Sequence, residues 1–490
     1  MPETSNLTSQ FYVELDGQPA PADLMRALYE ISIDNSLHMP DVATLLVHDP
    51  QLRWVDEEKF APGKAIKIAA KSTARKSREQ TVFEGEIVEL ESDFGANAHH
   101  LTVRAFDRLH RLARGRQVRT FQEIKVSDVI QKLAREAKLE VEAAETRKVH
   151  AHLFQNNLTN LEFLRAHARD LGFLLYVRGK KLYFKPPADH ERSDKKPIEL
   201  EWGKGLGEFR TRLTTIGQAS KIVARGWDPD HQREIVAEVQ NGKGARDIGH
   251  KKPGGETAKD AFNIETTYLA AGQPIRSQQE ADHLAKALAD RQAERFIEAE
   301  GMCGGNPDLV AGATLKLKGL GKRFSGTYFV TAATHLFSAQ GYATRFTISG
   351  QTPATLLRLL RGDDDDRSRQ LHLVVGVVTD NKDPARLGRV KVKYPWLSAE
   401  QTSDWARVVS PGAGRGRGLQ FIPQVEDEVL VGFEMGDAHH PYVIGGLWHG
   451  QAKPHEPDQV GKIIIADPHG NRIELSEQGV TIEGSAINLN

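Results

Sequence analysis

The chain has 490 residues and a mass of 54.4 kDa, which at about 100–200 residues per domain points to three or four domains. Hydrophobic residues make up 39% and charged residues 27%, a soluble-protein composition with enough apolar side chains to offset the entropy of ordering. Lys+Arg at 65 against Asp+Glu at 66 leaves a net charge of −1, so no global attraction to nucleic acid or anionic lipid follows.

The single cysteine, Cys303, excludes an intrachain disulfide framework and any multi-cysteine zinc or iron–sulfur site. No segment approaches the roughly 20 apolar residues that span a bilayer. Met1 to Gln10 is polar, without a basic start or an apolar core, and so does not read as a secretory signal. The expectation is a protein made and kept in the cytosol, or exported by something other than the general secretion route.

Short alternating runs fill the first stretch: Phe11–Leu15, Tyr29–Ile33, Thr44–Val47, Ala65–Ile68, Val82–Leu90 and His100–Phe106. Turn residues fall between them, and a closed or nearly closed β-barrel over residues 1–110 is the economical reading. A helical and hairpin insert follows over 111–197. Ser127 is placed to cap a helix running to about Ala137. Thr159-Asn-Leu-Glu162 is a capping box opening a stripe that Gly172 ends. Phe173–Val177 and Lys181–Lys185 read as a hairpin turning at Arg178-Gly179.

A second β-rich stretch, 198–360, contains another capping box, Ser277-Gln-Gln-Glu280, and a helix to about Arg295. Leu309 to Gly350 is hairpin-like again, so two barrels with helical inserts suggest a duplicated architecture. Asp363-Asp-Asp-Asp366 marks an acidic linker at 361–370; it lacks the Gly and distal Glu of an EF-hand loop. From 371 to 450, five or six short strands, including Leu373–Thr379, Gly388–Tyr394, Gly418–Ile422 and Glu428–Phe433, fit a small Greek-key barrel of the OB type.

The last stretch, 451–490, carries apolar pairs at Ile473/Leu475, Val480/Ile482 and Ile487/Leu489, each seven residues after the last. Spacing by two within a pair means one face of a strand, and Gly479 and Gly484 lie where turns would fall. Such faces can be buried by several identical chains wound round one axis, most simply a trimer, with these six residues as the needle core. An isolated β-meander lying on the neighbouring barrel is the other reading.

Catalytic signatures are sparse. Gly412-Ala-Gly-Arg-Gly-Arg-Gly418 breaks the dinucleotide register at Arg417 and precedes no helix pattern. His439, His440, His449, His455 and His469 show no carboxylate–His spacing for a metal, and Cys303 has no local signature of a nucleophile. An OB fold can bind single strands through aromatic platforms, here Trp396, Trp405 and Trp448. Between Leu371 and Val460, however, 9 Lys/Arg face 11 Asp/Glu, the wrong sign for phosphate. No cofactor, metal or catalytic residue is assigned.

The order of parts resembles a known family. Gly376-Val-Val-Thr-Asp380, Leu387-Gly-Arg-Val-Lys-Val-Lys-Tyr-Pro-Trp396, Trp405-Ala-Arg-Val408, Phe421-Ile-Pro423, Asp427-Glu-Val-Leu-Val-Gly-Phe433, Gly436-Asp437 and Pro441-Tyr-Val-Ile-Gly445 resemble the OB domain of VgrG and phage baseplate V proteins. Asn160-Leu-Glu-Phe-Leu-Arg-Ala-His-Ala-Arg-Asp-Leu-Gly172, Phe324-Ser-Gly-Thr-Tyr-Phe-Val330, His335 and Gly341-Tyr342 are similar to the late-control D, or hub, part of the same family.

The resemblance implies a mainly β fold with α insertions: two hub barrels, an OB domain and the start of a trimeric β-helical needle. It also implies a non-enzymatic spike at the baseplate of a contractile injection machine. Implied partners are two further copies of the chain, a PAAR-type tip protein at the needle, and tail-tube adaptor and baseplate wedge proteins at the hub. The target membrane would be met only on firing, and no nucleic acid would be bound. No stretch has room for an inserted lysozyme domain and the needle is short, so an extracellular contractile particle or a phage-tail-like particle is the expected setting. The alternatives are a cell-wall or polysaccharide hydrolase of a phage tail and an OB-fold single-strand binder.

Overall fold

The computed structural model describes residues 10–71, 79–94, 99–187, 196–228, 231, 233–242, 247–270, 274–349, 373–395, 397–398, 400–458 and 460–487. The chain divides into two compact units, Met1–Gln370 and Leu371–Asn490, taken here in turn.

The first unit is built on one 15-stranded sheet that runs through both expected barrels. Its first half consists of Leu28–Ser36, Val42–His48, His99–Phe106, Gln80–Phe94, Ala65–Lys71 and Gln10–Leu15, each antiparallel to the next. Alternation puts Ile31, Ile33, Leu45, Val47, Ile66, Ile68, Val103 and Ala105 inside, all essentially solvent-free. The second half includes Gly205–Leu213, Ile297–Gly304, Gly341–Ile348 and Ala332–Ser338. The two halves are joined through one strand pair. Ala332–Ser338 pairs antiparallel with Leu28–Ser36, from Ala332↔Ser36 to Phe337↔Ile31. Phe337 and Tyr342 of the second half then stack on each other, 4.1 Å between ring centres, within the core of the first.

Each half carries an insert with its own core. In the first, the helices Val126–Glu136 and Asn160–Leu171 cover small sheets around Leu133, Leu164, Leu182 and Phe184. In the second, Lys221–Asp228, Arg233–Gln240 and Thr267–Ala270 form a three-stranded sheet under the helix Gln278–Glu294. There Ile222, Ala224, Ala281 and Ala285 pack together.

Both capping boxes form as read. The Thr159 hydroxyl accepts from the Glu162 amide while the Glu162 carboxylate accepts from the Thr159 amide, and Ser277 and Glu280 do the same. Gly172 closes the first of these helices at φ +68°, a conformation costly for a side chain with a Cβ. Ser127, however, is not a cap. The helix starts at Val126, one residue earlier, and its Ser127 amide donates to Thr146 Oγ1 at 3.1 Å, so a loop 19 residues on supplies the acceptor.

In the second unit, five strands form one sheet in the order Lys391–Lys393, Val374–Asp380, Glu428–Phe433, Pro441–Gly446, Arg407–Val408, the last pairing parallel. Val378, Val390, Val392, Ala406, Val429, Val431 and Val443 make its solvent-free core. Gly418–Ile422, expected as a strand, is loop: Gly418 sits at φ +134°, and the following Pro423 has no amide to give a ladder. The loop after Asp380 is organised by Asp383, which accepts from the Ala385 and Leu387 amides and forms a two-point ion pair with Arg389 at 2.8 and 3.0 Å. The Arg389 guanidinium holds the Asp383 carboxyl well below the usual carboxylate range.

Replacing Thr159 with Ala removes one acceptor and frees the reciprocal Glu162 contact. The expected cost is about 1 kcal/mol, read as a lower denaturation midpoint of the first unit with the slope unchanged.

Candidate functional site

After the OB domain, Ile463–Ala466, Arg472–Ser476 and Gly479–Glu483 form a three-stranded antiparallel meander. The first strand was not expected. In Ile463-Ile-Ile-Ala466 every residue is apolar, so no alternation shows which side faces out. Its ladder aligns Ile463 with Leu475 and Ile465 with Ile473. The next ladder aligns Ile473 with Ile482 and Leu475 with Val480. Directly opposed residues share a face, so six large aliphatic side chains line one side of the meander. All six are 40–65% exposed in the single chain.

Of the expected needle residues, the structure thus brings together Ile473, Leu475, Val480 and Ile482. Ile487 follows the last strand at 52% exposure, and Leu489 lies outside the described residues. Most of the expected third strand, around 487–489, lies outside the described residues; the third strand of the meander is Ile463–Ala466. A groove of about 800 Å³ separates Ile465, Ile473, Ile482 and Ile487 from Phe421, Ile422 and Pro423 of the OB domain.

The opposite face carries Ile464 and Ala466 beside an internally paired polar cluster. Glu474 is 6% exposed and lies between Lys462, 3.0 Å away, and Arg472. Lys462 also meets Glu456 at 2.8 Å, and Arg472 meets Glu483 at 3.2 Å. Hydrogen bonds from Lys462 hold the Glu456 carboxyl below its ordinary value. Among the described residues, one face of the ribbon has its ion-pair partners within the chain, while the large side chains of the other stay exposed.

The remaining candidates resolve into structure. Gly414 and Arg417 exchange backbone hydrogen bonds of 3.0 and 3.2 Å, making Gly412–Gly418 a tight turn. Cys303 is buried in its strand, and burial pushes its thiol up to about 12. His439 and His440 both turn Nδ1 to Asp437, at 2.7 and 3.2 Å. Burial alone would raise the Asp437 carboxyl, but the two imidazoles carry it well below the usual range. Among the described residues no group of three or more His, Cys, Asp or Glu is placed to hold a metal, and no helix is long and apolar enough to cross a membrane. Arg389 and Lys391 lie over the Trp405 ring at 6.0 and 5.1 Å, Trp448 is exposed, and Trp396 and the acidic run 363–366 lie outside the described residues.

The fold of the chain is similar to that of solved VgrG and phage-tail proteins. Residues 374–448 match the type VI secretion system/phage-baseplate injector OB domain. The chain belongs to the family described as the Alg8 N-terminal domain, whose model matches residues 5–338. The type VI secretion spike protein VgrG1b of Pseudomonas aeruginosa is 24% identical over 380 residues, covering 70% of this chain and 49% of that protein. VgrG3 of Vibrio cholerae is 38% identical over 84 residues, 16% of this chain and 8% of that one. The chain thus spans half or less of the curated relatives it matches.

Among solved structures, a type VI secretion component of E. coli, described as similar to the T4 tail proteins gp27 and gp5, superposes with a TM-score of 0.53 at 14% identity. That match covers 89% of this chain and 99% of that one. The Francisella PdpA–VgrG complex gives 0.56 at 7% identity, covering 98% and 89%. These likenesses establish the shared fold.

Glu474→Ala leaves Lys462 and Arg472 facing each other without their shared carboxylate. Losing charged hydrogen bonds of this kind costs about 2 kcal/mol. The expected result is faster amide exchange across 463–483, with the OB strands unaffected.

Proposed function

We propose that this chain is the non-enzymatic hub and spike of a contractile injection machine. Three copies would wind their meanders round one axis, burying Ile473, Leu475, Val480, Ile482, Ile487 and Leu489 together with Ile463 and Ile465. The observation that carries this reading is the ribbon with one face paired and the other bare. Covering what remains exposed is worth on the order of 1 kcal/mol per large aliphatic side chain, repeated in every copy. A three-fold arrangement also closes on itself, so no apolar face is left over.

On this reading the hub caps the tail tube at the baseplate and meets its adaptor and wedge proteins. The ribbon begins a stiff needle carrying a PAAR-type tip protein. The particle is assembled in the cytoplasm and meets a target membrane only when it fires. Sheath contraction supplies the work, and the spike concentrates it on a narrow tip, so no catalytic residue is required.

Light scattering on the full chain, beside a truncation ending before Gly461, tests the assembly. The expected result is a threefold mass that weakens or collapses on truncation. A monomer at every concentration would overturn the proposal, and a trimer indifferent to truncation would move the contacts to the hub or the OB domain. Ile482→Asp sets three carboxylates into the proposed core; unpaired buried charge costs about 3–5 kcal/mol. The mutant trimer should therefore dissociate at lower temperature than the wild type, while the hub melts as before.

A further inference from the structure

One corner of the second insert is apolar and, among the described residues, uncovered. The helix Gly254–Phe262 ends at Asn263, a left-handed residue at φ +54°, and the chain then enters the edge strand Thr267–Ala270. With the connection 215–219 these elements bound a cavity of about 330 Å³, whose wall includes Ala219, Ala258, Phe262, Ile264 and Tyr268. Phe262, Ile264 and Tyr268 are 62, 61 and 47% exposed, and Ile216, between the wall residues Thr215 and Gly217, is 87% exposed. Single exposed apolar residues are ordinary, but a cluster of them round a cavity marks a contact surface.

The polar groups of the wall bond to one another. Gln218 Nε2 donates to the Gln292 carbonyl at 2.8 Å, Gln292 Nε2 donates to the Gly217 carbonyl, and Thr266 Oγ1 donates to the Gln218 carbonyl at 3.3 Å. The Thr266 amide donates to the Ser220 hydroxyl at 3.2 Å. What the cavity offers an occupant is therefore apolar surface.

The chain itself delivers apolar side chains to this corner. Ile348 lies opposite Ala299, and Leu213 opposite Ile297. Gly205–Leu213 and Gly341–Ile348 thus flank Ile297–Gly304 on its two sides and leave the sheet at the same end. One exit leads straight into the cavity wall, since the Thr214 amide still donates to the Phe296 carbonyl at 3.0 Å and Thr215 follows. Ser349 departs from that end two strand spacings away, on the order of 10 Å. Beyond it the sequence reads Gly350-Gln-Thr-Pro-Ala-Thr-Leu-Leu-Arg-Leu-Leu-Arg361, with four leucines in the five positions 356–360. These residues lie outside the described ones. Leu356 is seven positions past Ser349, a reach of up to about 23 Å. The stretches 72–78 and 188–195, also outside the described residues, are polar and charged in sequence and do not suit an apolar cavity.

The geometry points to an intrachain dock: the leucine run 356–360 seats on Phe262, Ile264 and Tyr268 and puts its side chains into the cavity beside them. The second insert then anchors the end of the hub sequence, and the linker proper starts at Gly362 rather than at Gly350. This holds whether or not the spike reading does.

Disulfide trapping on the full chain tests it. Ile264→Cys is combined in turn with Leu356→Cys, Leu357→Cys, Leu359→Cys and Leu360→Cys, and the oxidised protein is read by non-reducing electrophoresis and peptide mass spectrometry. Cys303, buried with its thiol pushed up to about 12, does not compete. At least one pair should close within a single chain. Independently, hydrogen exchange compares the wild type with a variant in which all four leucines are serine. Peptides covering 254–268 should exchange about tenfold faster in the variant, the ratio that burying one leucine side chain supplies, while the helix Val126–Glu136 is unmoved. Pairs that close only between two chains would make the occupant a segment of a second copy and overturn the proposal. Exchange over 254–268 that is the same with and without the leucines would overturn it too, even if the cysteine variants fail to fold.

Discussion

The first unit depends on one ladder. Leu28–Ser36 and Ala332–Ser338 lie at opposite ends of the hub sequence, yet their antiparallel pairing is what makes two half-sheets into one. Each partner strand is paired on both sides, so neither half presents an open edge there. The ladder also carries Phe337 into the first core, 5.4 Å from Phe11. Behind it, His335 is buried with Nδ1 2.8 Å from the Tyr342 hydroxyl. The hub-like motif residues His335 and Gly341-Tyr342 thus belong to the seam itself, which gives a physical reason for those residue types at that place.

The second unit follows a different rule. Its OB core is small, almost wholly valine and alanine, and complete within the chain. The ribbon that follows is complete on one side only. Glu474 and its cations give the polar face a fixed internal structure, so the ribbon is already shaped before any partner arrives. A pre-shaped strand surface loses less freedom on association than a disordered tail would.

Features decided within a few residues were legible in the sequence. Thr159 with Glu162 and Ser277 with Glu280 were readable because each box contains both of its partners. Ser127 misled because its neighbourhood looks like a cap, while the acceptor comes from Thr146. The seam was invisible because alternation says which face of a strand is buried but not which strand lies beside it. The second insert's sheet went unread for the same reason. At the candidate site, Ile473, Leu475, Val480 and Ile482 stood out by period two, whereas Ile463 and Ile465 were hidden by the apolar Ile464 between them.

The seam has a consequence for biosynthesis. Thr334 and Asp34, joined across it, are 300 positions apart, and a ribosome adding about 5–20 residues per second needs on the order of 15–60 s to cover that distance. From the completion of His99–Phe106 onward the first half-sheet is made, but one of its long strands is unpaired on one side. Such an edge is a template for pairing with another nascent chain. The outward side of that strand carries Glu30 and Asp34, charges that discourage a second copy of the same strand from docking there, while Thr334 on the proper partner supplies the hydroxyl that Asp34 accepts. A contact that forms late in synthesis thus carries its own charge and hydroxyl complementarity.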